Sequence, residues 1–263
     1  MTSTESPETT TLAGGSDDRA TAASRRGPKP VLLAVLAIAV LLAGTFAYLA
    51  VRHHEQRNGL SGIRASGIPA DVPTSVANEM GLSPVPTRPA PNFTLVDQRG
   101  RSLSLDSFRG RSVVLEFMDP HCVDVCPIVS REFVDAYHDL GKAASRVVFM
   151  AVNVNQYYAS VPAVASFSRS HQLDTIPSWH FFTGTASDLK AVWYRYGVEV
   201  SAPNPKADIV HTSIVYFIDP SGHERYVAAP MVDHTAKGKA YLPSGPLTTW
   251  GQGIALVARS LSG

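Results

Sequence analysis

Cysteine is nearly absent from this chain of 263 residues, which has two in all, Cys122 and Cys126. Two are too few for a disulfide-built scaffold and too few for a four-cysteine zinc site. A surplus of charge is missing as well. The 23 basic side chains face 22 acidic ones, so the chain lacks the basic stripe that a nucleic-acid binder needs, and no nucleic-acid partner is expected. Apolar residues are not lacking: at 44% hydrophobic the chain can build a core, which excludes disorder throughout. No internal repeat is present. What is left is a chain long enough for one or two domains, with a pair of cysteines four residues apart.

The chain divides into four pieces. Ten of the first thirty residues are Ser or Thr, and Leu12 is their only large aliphatic side chain. Such a segment buries too little apolar surface to offset its ordering entropy, so residues 1–30 read as a disordered cytoplasmic tail. Val31 to Ala50 carries no charge. As a helix rising about 1.5 Å per residue it spans roughly 30 Å, the depth of a bilayer's hydrocarbon. A single transmembrane helix is therefore expected over 31–51. Arg25, Arg26 and Lys29 before it favour an N-terminus inside. A cleaved signal peptide would have a shorter apolar run ending in a small-x-small site, which Tyr48-Leu49-Ala50 does not supply. Either reading puts the rest on the extracytoplasmic side of the cytoplasmic membrane. Residues 52–91, rich in Gly, Ser and Pro, read as a tether stiffened by Pro84, Pro86, Pro89 and Pro91. Residues 92–263 form the globular domain.

Within that domain Phe93 to Asp97 alternates, turns at Gln98-Arg99-Gly100 and returns through Leu105, which predicts a hairpin. Ser112 to Met118 is a nearly continuous apolar run of strand length, as in a buried central strand. From Asp124 the period becomes helical: Val125, Val129, Phe133, Tyr137 and Leu140 share a face, and Gly141 stops it. Arg146–Val154 predicts a strand, Ser160 caps a helix to about Gln172, and Ser178–Phe182 predicts another strand. A helix then runs from Thr185 or Ser187 to Tyr196 and closes at Gly197. Ile209–Ile218 and Glu224–Val227 predict two strands around the turn Asp219-Pro220-Ser221-Gly222. Past residue 231 only Gly253–Ala258 looks helical. This order predicts an α/β layer with helices on both faces, whose ligands gather at the carboxyl ends of the strands. The cysteines fall there.

At i and i+4 on a helix, Cys122 and Cys126 share a face about 6 Å apart, within disulfide range. Near a helix N-terminus their thiolates are favoured. Two outcomes stay open: a reversible disulfide, or two soft metal ligands. A third ligand separates them, because two thiolates with one imidazole suit copper. Of the nine histidines, His121 adjoins Cys122 and His211 stands at the start of Thr212–Asp219. His53, His54, His138, His171, His180 and His223 read as ordinary side chains.

Three segments carry a resemblance. They are Phe93–Gly100, then Cys122-Val123-Asp124-Val125-Cys126-Pro127, then His211-Thr212 before Tyr216-Phe217-Ile218-Asp219-Pro220-Ser221-Gly222. In order and spacing, over about residues 84–230, they resemble the Sco/SenC family. The resemblance implies a thioredoxin-like fold on one membrane anchor and one copper ion per chain on Cys122, Cys126 and His211. It implies a metallochaperone that helps assemble the copper centre of cytochrome c oxidase, with the copper-accepting subunit as partner. The alternative is a membrane-tethered thiol–disulfide oxidoreductase working through a redox-active Cys122/Cys126 pair. Thioredoxin-type enzymes, however, space their cysteines C-x-x-C and keep a proline where this chain has His211-Thr212-Ser213. Two positions depart from the family: Val123 where Pro is usual, and Val210 where Asp is usual. Val232-Asp233-His234-Thr235 spells the local histidine pattern better, but no apolar strand follows it, so His234 is not expected to be a ligand.

Overall fold

The computed structural model describes residues 66–230 and 232–263. The expected tail, the expected transmembrane helix and the first part of the expected tether lie outside them. Among the described residues no helix is long and apolar enough to cross a membrane.

A six-stranded sheet organises the domain. Its strands are β1 (Ser83–Pro89), β4 (Ser112–Met118), β5 (Val147–Asn153), β6 (Trp179–Phe182), β9 (Val215–Ile218) and β10 (His223–Ala228), in the order β1-β10-β9-β4-β5-β6. β4, β5 and β6 run parallel, while β9, β10 and β1 pair antiparallel on the other side. The alternation of a strand sorts its side chains. Val114 and Met118 of β4 enter one core with Phe149 of β5, and Val113, Leu115 and Phe117 enter the other with Met150. β4 and β5 are buried along their full length, as their continuous apolar runs predicted.

Helices cover both faces. α2 (Val125–Leu140), α3 (Val161–Ser170) and α5 (Ser244–Leu261) contribute to one core, and α4 (Ala186–Tyr196) to the other. Local chemistry sets their ends. The Ser160 and Thr185 hydroxyls accept from the Ala163 and Asp188 amides, and Gly197 ends α4 at φ 70°. The predicted hairpin forms as β2 (Thr94–Val96) and β3 (Ser102–Ser104), turning at Gly100 with φ 76°. It reaches across to β6: Val96 pairs with Thr183, Gln98 Nε2 donates to Trp179 O at 2.9 Å, and Phe181 N donates to Gln98 Oε1 at 2.9 Å.

Two expectations need correction. Residues 66–91, expected in the tether, fold into the domain as α1 (Thr74–Glu79) and β1. Val76, Met80 and Leu82 are buried, and proline is tolerated in β1 because the strand lies at the border of the sheet. The closing helix is also three times the length expected, since it begins at Ser244. Pro246, Gly251 and Gly253 lower helix propensity and concealed its first turns. Gly253 is needed for packing: a Cβ there would collide with Met80 Sδ and Val76 Cγ1.

Candidate metal centre

The site begins where β4 ends. A turn closes from Cys122 N to Asp119 O at 3.1 Å. Asp119 is buried, and its Oδ1 accepts from His121 N and Asn155 Nδ2 at 2.8 and 2.9 Å. Asp124 precedes α2 but makes no side-chain cap. Its Oδ1 accepts instead from Ala240 N at 2.7 Å. The open first turn of the helix turns to sulfur, and Cys126 N donates to Cys122 Sγ at 3.3 Å.

This makes the two thiols unequal. Cys122 is part-exposed, and the hydrogen bonds from the Cys126 thiol and backbone lower its pKa to about 6 against the opposing effect of burial. Cys126 is 4% exposed; sharing its proton with Cys122 and burial both push its thiol well above 9.0. Both cysteines are free thiols.

His211 comes from a separate two-stranded ladder. It ends β8 (Val210–His211), which pairs with β7 (Val200–Ser201). Ile209–Ile218 was expected as one strand, but residues 212–214 interrupt it before β9. Burial lowers the His211 pKa, which keeps the ring neutral at pH 7. Nδ1 lies 2.9 Å from Thr212 O. A carbonyl only accepts, so Nδ1 carries the proton and Nε2 keeps its lone pair.

Cys122, Cys126 and His211 line one cavity of about 230 Å³, walled further by Glu116, Phe117 and Met118. The structure thus brings the three sequence-derived residues to one space. It does not close them into a cluster, because among the described residues no three His, Cys, Asp or Glu side chains stand close enough to hold a metal. His121 points elsewhere, stacked on Tyr158 with ring centroids 3.6 Å apart. His234 lies exposed in the hairpin of β11 (Asp233–His234) and β12 (Ala240–Tyr241), away from the cavity. The departures Val123 and Val210 are 88% and 68% exposed. Sequence reasoning missed Glu116. It is 1% exposed at the cavity wall, and burial pushes it up to about 8. The signal was an acid inside an otherwise apolar strand.

A family model described as SCO1/SenC matches residues 84–236. The chain belongs to the SCO1/SenC family. The SCO1 protein homolog of Bacillus subtilis is 23% identical over 132 residues, 49% of this chain and 68% of that one. The mitochondrial SCO2 homolog of Bos taurus is 30% identical over 139 residues, 50% of each chain. This SCO1/SenC chain therefore spans about half the length of its bovine relative. The structure of Bradyrhizobium japonicum ScoI, solved with copper bound, aligns at a TM-score of 0.51 with 21% identity, over 66% of this chain and 99% of that one. At that identity the likeness shows the thioredoxin-like fold of this SCO1/SenC member.

Proposed function

We propose that this protein is a membrane-anchored copper metallochaperone of the Sco type, holding one copper ion per chain and passing it to the copper-accepting subunit of cytochrome c oxidase. Family membership supports the role. The observation that carries it is the shared cavity of Cys122, Cys126 and His211, with Nε2 of the imidazole left free. Two sulfurs and one imidazole nitrogen form a donor set suited to copper. Copper enters as cargo: binding draws His211 onto the cysteine pair and displaces the remaining thiol proton.

The unequal thiols favour a second reading, thiol–disulfide exchange by the same pair. Cys122 would attack as thiolate and Cys126 would resolve the mixed disulfide. His211 separates the two readings, because a disulfide exchange needs no imidazole ligand. Copper affinity is measured by chelator competition on the reduced full-length protein in detergent. His211→Ala is expected to weaken binding by at least about tenfold, or about 1.4 kcal/mol, while leaving the disulfide able to form and be reduced. His234→Ala is expected to change neither. Unchanged copper affinity in Cys122→Ser or Cys126→Ser would sink the metal reading and leave the redox one.

A further inference from the structure

β4 is held unequally along its two sides. Its rungs to β5 run the whole length, from Ser112–Val147 to Met118–Asn153. Its rungs to β9 stop at Leu115–Tyr216. Past that point residues 212–214 leave the ladder, and the cavity of the cysteines and His211 lies beside the last residues of β4. Glu116 occupies the point of divergence. Ser213 Oγ donates to its Oε1 at 3.1 Å. Its other oxygen, Oε2, has no partner among the described residues. A side chain therefore spans the gap that the missing rungs leave.

We propose that Glu116 is the positioning residue for His211, clamping residues 212–214 to β4 and thereby setting how His211 faces Cys122 and Cys126. The functional part of this inference rests on the copper-binding reading above. The mechanical link is short: Ser213 stands two residues from His211, whose ring is bonded to Thr212 O, so holding Ser213 holds the ring. The segment His211-Thr212-Ser213-Ile214 has no proline to restrict it; its first half is held to Val200 and Glu199, which leaves Ser213 and Ile214 to the clamp. An acid kept only as core filler would behave differently. Replacing a buried polar group by an apolar one of similar volume is often neutral or stabilising, so a filler role predicts that leucine keeps both stability and binding.

The test uses the full-length protein in detergent with three variants: Glu116→Gln, Glu116→Leu and Ser213→Ala. Hydrogen exchange of the Ser213 and Ile214 amides is followed in the metal-free protein, and Cu(I) affinity by chelator competition. Glutamine presents the same acceptor to Ser213 and is expected to stay within about threefold of wild type in both readouts. Glu116→Leu and Ser213→Ala are expected to speed exchange and weaken copper binding by about tenfold each, without lowering the thermal midpoint in Glu116→Leu. Unchanged exchange in Ser213→Ala, or a glutamine variant as impaired as leucine, would overturn the clamp. Should Glu116→Leu fail to fold, Ser213→Ala, which removes one hydroxyl, decides. Should wild type itself not bind copper, the copper reading fails while the exchange data still judge the clamp.

Discussion

Alkylating the reduced protein with iodoacetamide from about pH 4 to about pH 10 probes the unequal thiols directly. The thiol and backbone amide of Cys126 bring Cys122 from an ordinary 9.0 to about 6 against the effect of burial. At pH 7 a group titrating near 6 is about 90% thiolate, against about 1% for one at 9, a gain of about 90-fold in the reacting species. The lower basicity also blunts the sulfur. With a Brønsted slope near 0.45 that loss is roughly 20-fold, which leaves a net gain of only about fourfold at pH 7. A single rate near neutrality therefore says little, and the pH profile decides. The first inflection should fall near 6, with labelling at Cys122 alone and Cys126 silent until well above 9.0. That inflection belongs to the coupled pair, with the charge resting on Cys122. Cys126→Ala removes the largest stabiliser of the thiolate and should raise the inflection by at least about one pH unit, about 1.4 kcal/mol. A wild-type inflection at the ordinary thiol value would refute the proposed arrangement of the helix start.

Burial pushes Glu116 to about 8 and Glu132 to about 9, so both stay protonated in the fold and ionise on unfolding. Their contribution is complete below about pH 4.5 and is lost as pH rises toward those values, by up to about 1.4 kcal/mol per pH unit each. Burial lowers His180 to about 4, so its contribution is present above about 6.5 and is lost as pH falls toward 4. Urea unfolding should accordingly give higher stability near pH 6 than near pH 8.5, and Glu132→Gln should flatten the alkaline slope; a rise in stability toward pH 8.5 would contradict this. Gly253→Ala drives a methyl into Met80 and Val76 and should cost about 1–3 kcal/mol, read as a lower thermal midpoint, whereas an unchanged midpoint would mean the two helices are not so close. For topology, protease added to intact spheroplasts is expected to remove the domain that follows residue 52, and its survival would reverse the proposed orientation.

Much of the fold was legible because it follows period and punctuation. Ser112–Met118 is the central strand as its apolar run implied, and the helical face from Val125 to Leu140 ends at Gly141. What escaped depends on tertiary packing. β1 was hidden by its prolines, and its pairing with β10, with the core that takes Val76, Met80 and Leu82 just before it, ties the segment down. The first turns of α5 were hidden by Pro246, Gly251 and Gly253, the two glycines packing where a larger residue would not fit. At the site, the cysteine pair was readable from residue type and spacing and His211 only from the resemblance; the three line one cavity. Glu116 was not readable: its hydrogen bond to Ser213 joins residues 97 positions apart, a distance at which no local pattern operates. The break at residues 212–214 escaped for the same reason.

The two borders of the sheet differ in composition, yet both prevent other chains from adding to it. Along β6 the Gln98 amide already occupies Trp179 O and Phe181 N, the groups an incoming strand would seek. Along β1, three of seven residues are proline, and the row of N–H donors a docking strand requires is broken. At high local density an open sheet border seeds polymerisation. With both borders blocked, copies of this domain can crowd together without extending one another's sheets, which leaves the cavity at the end of β4 open.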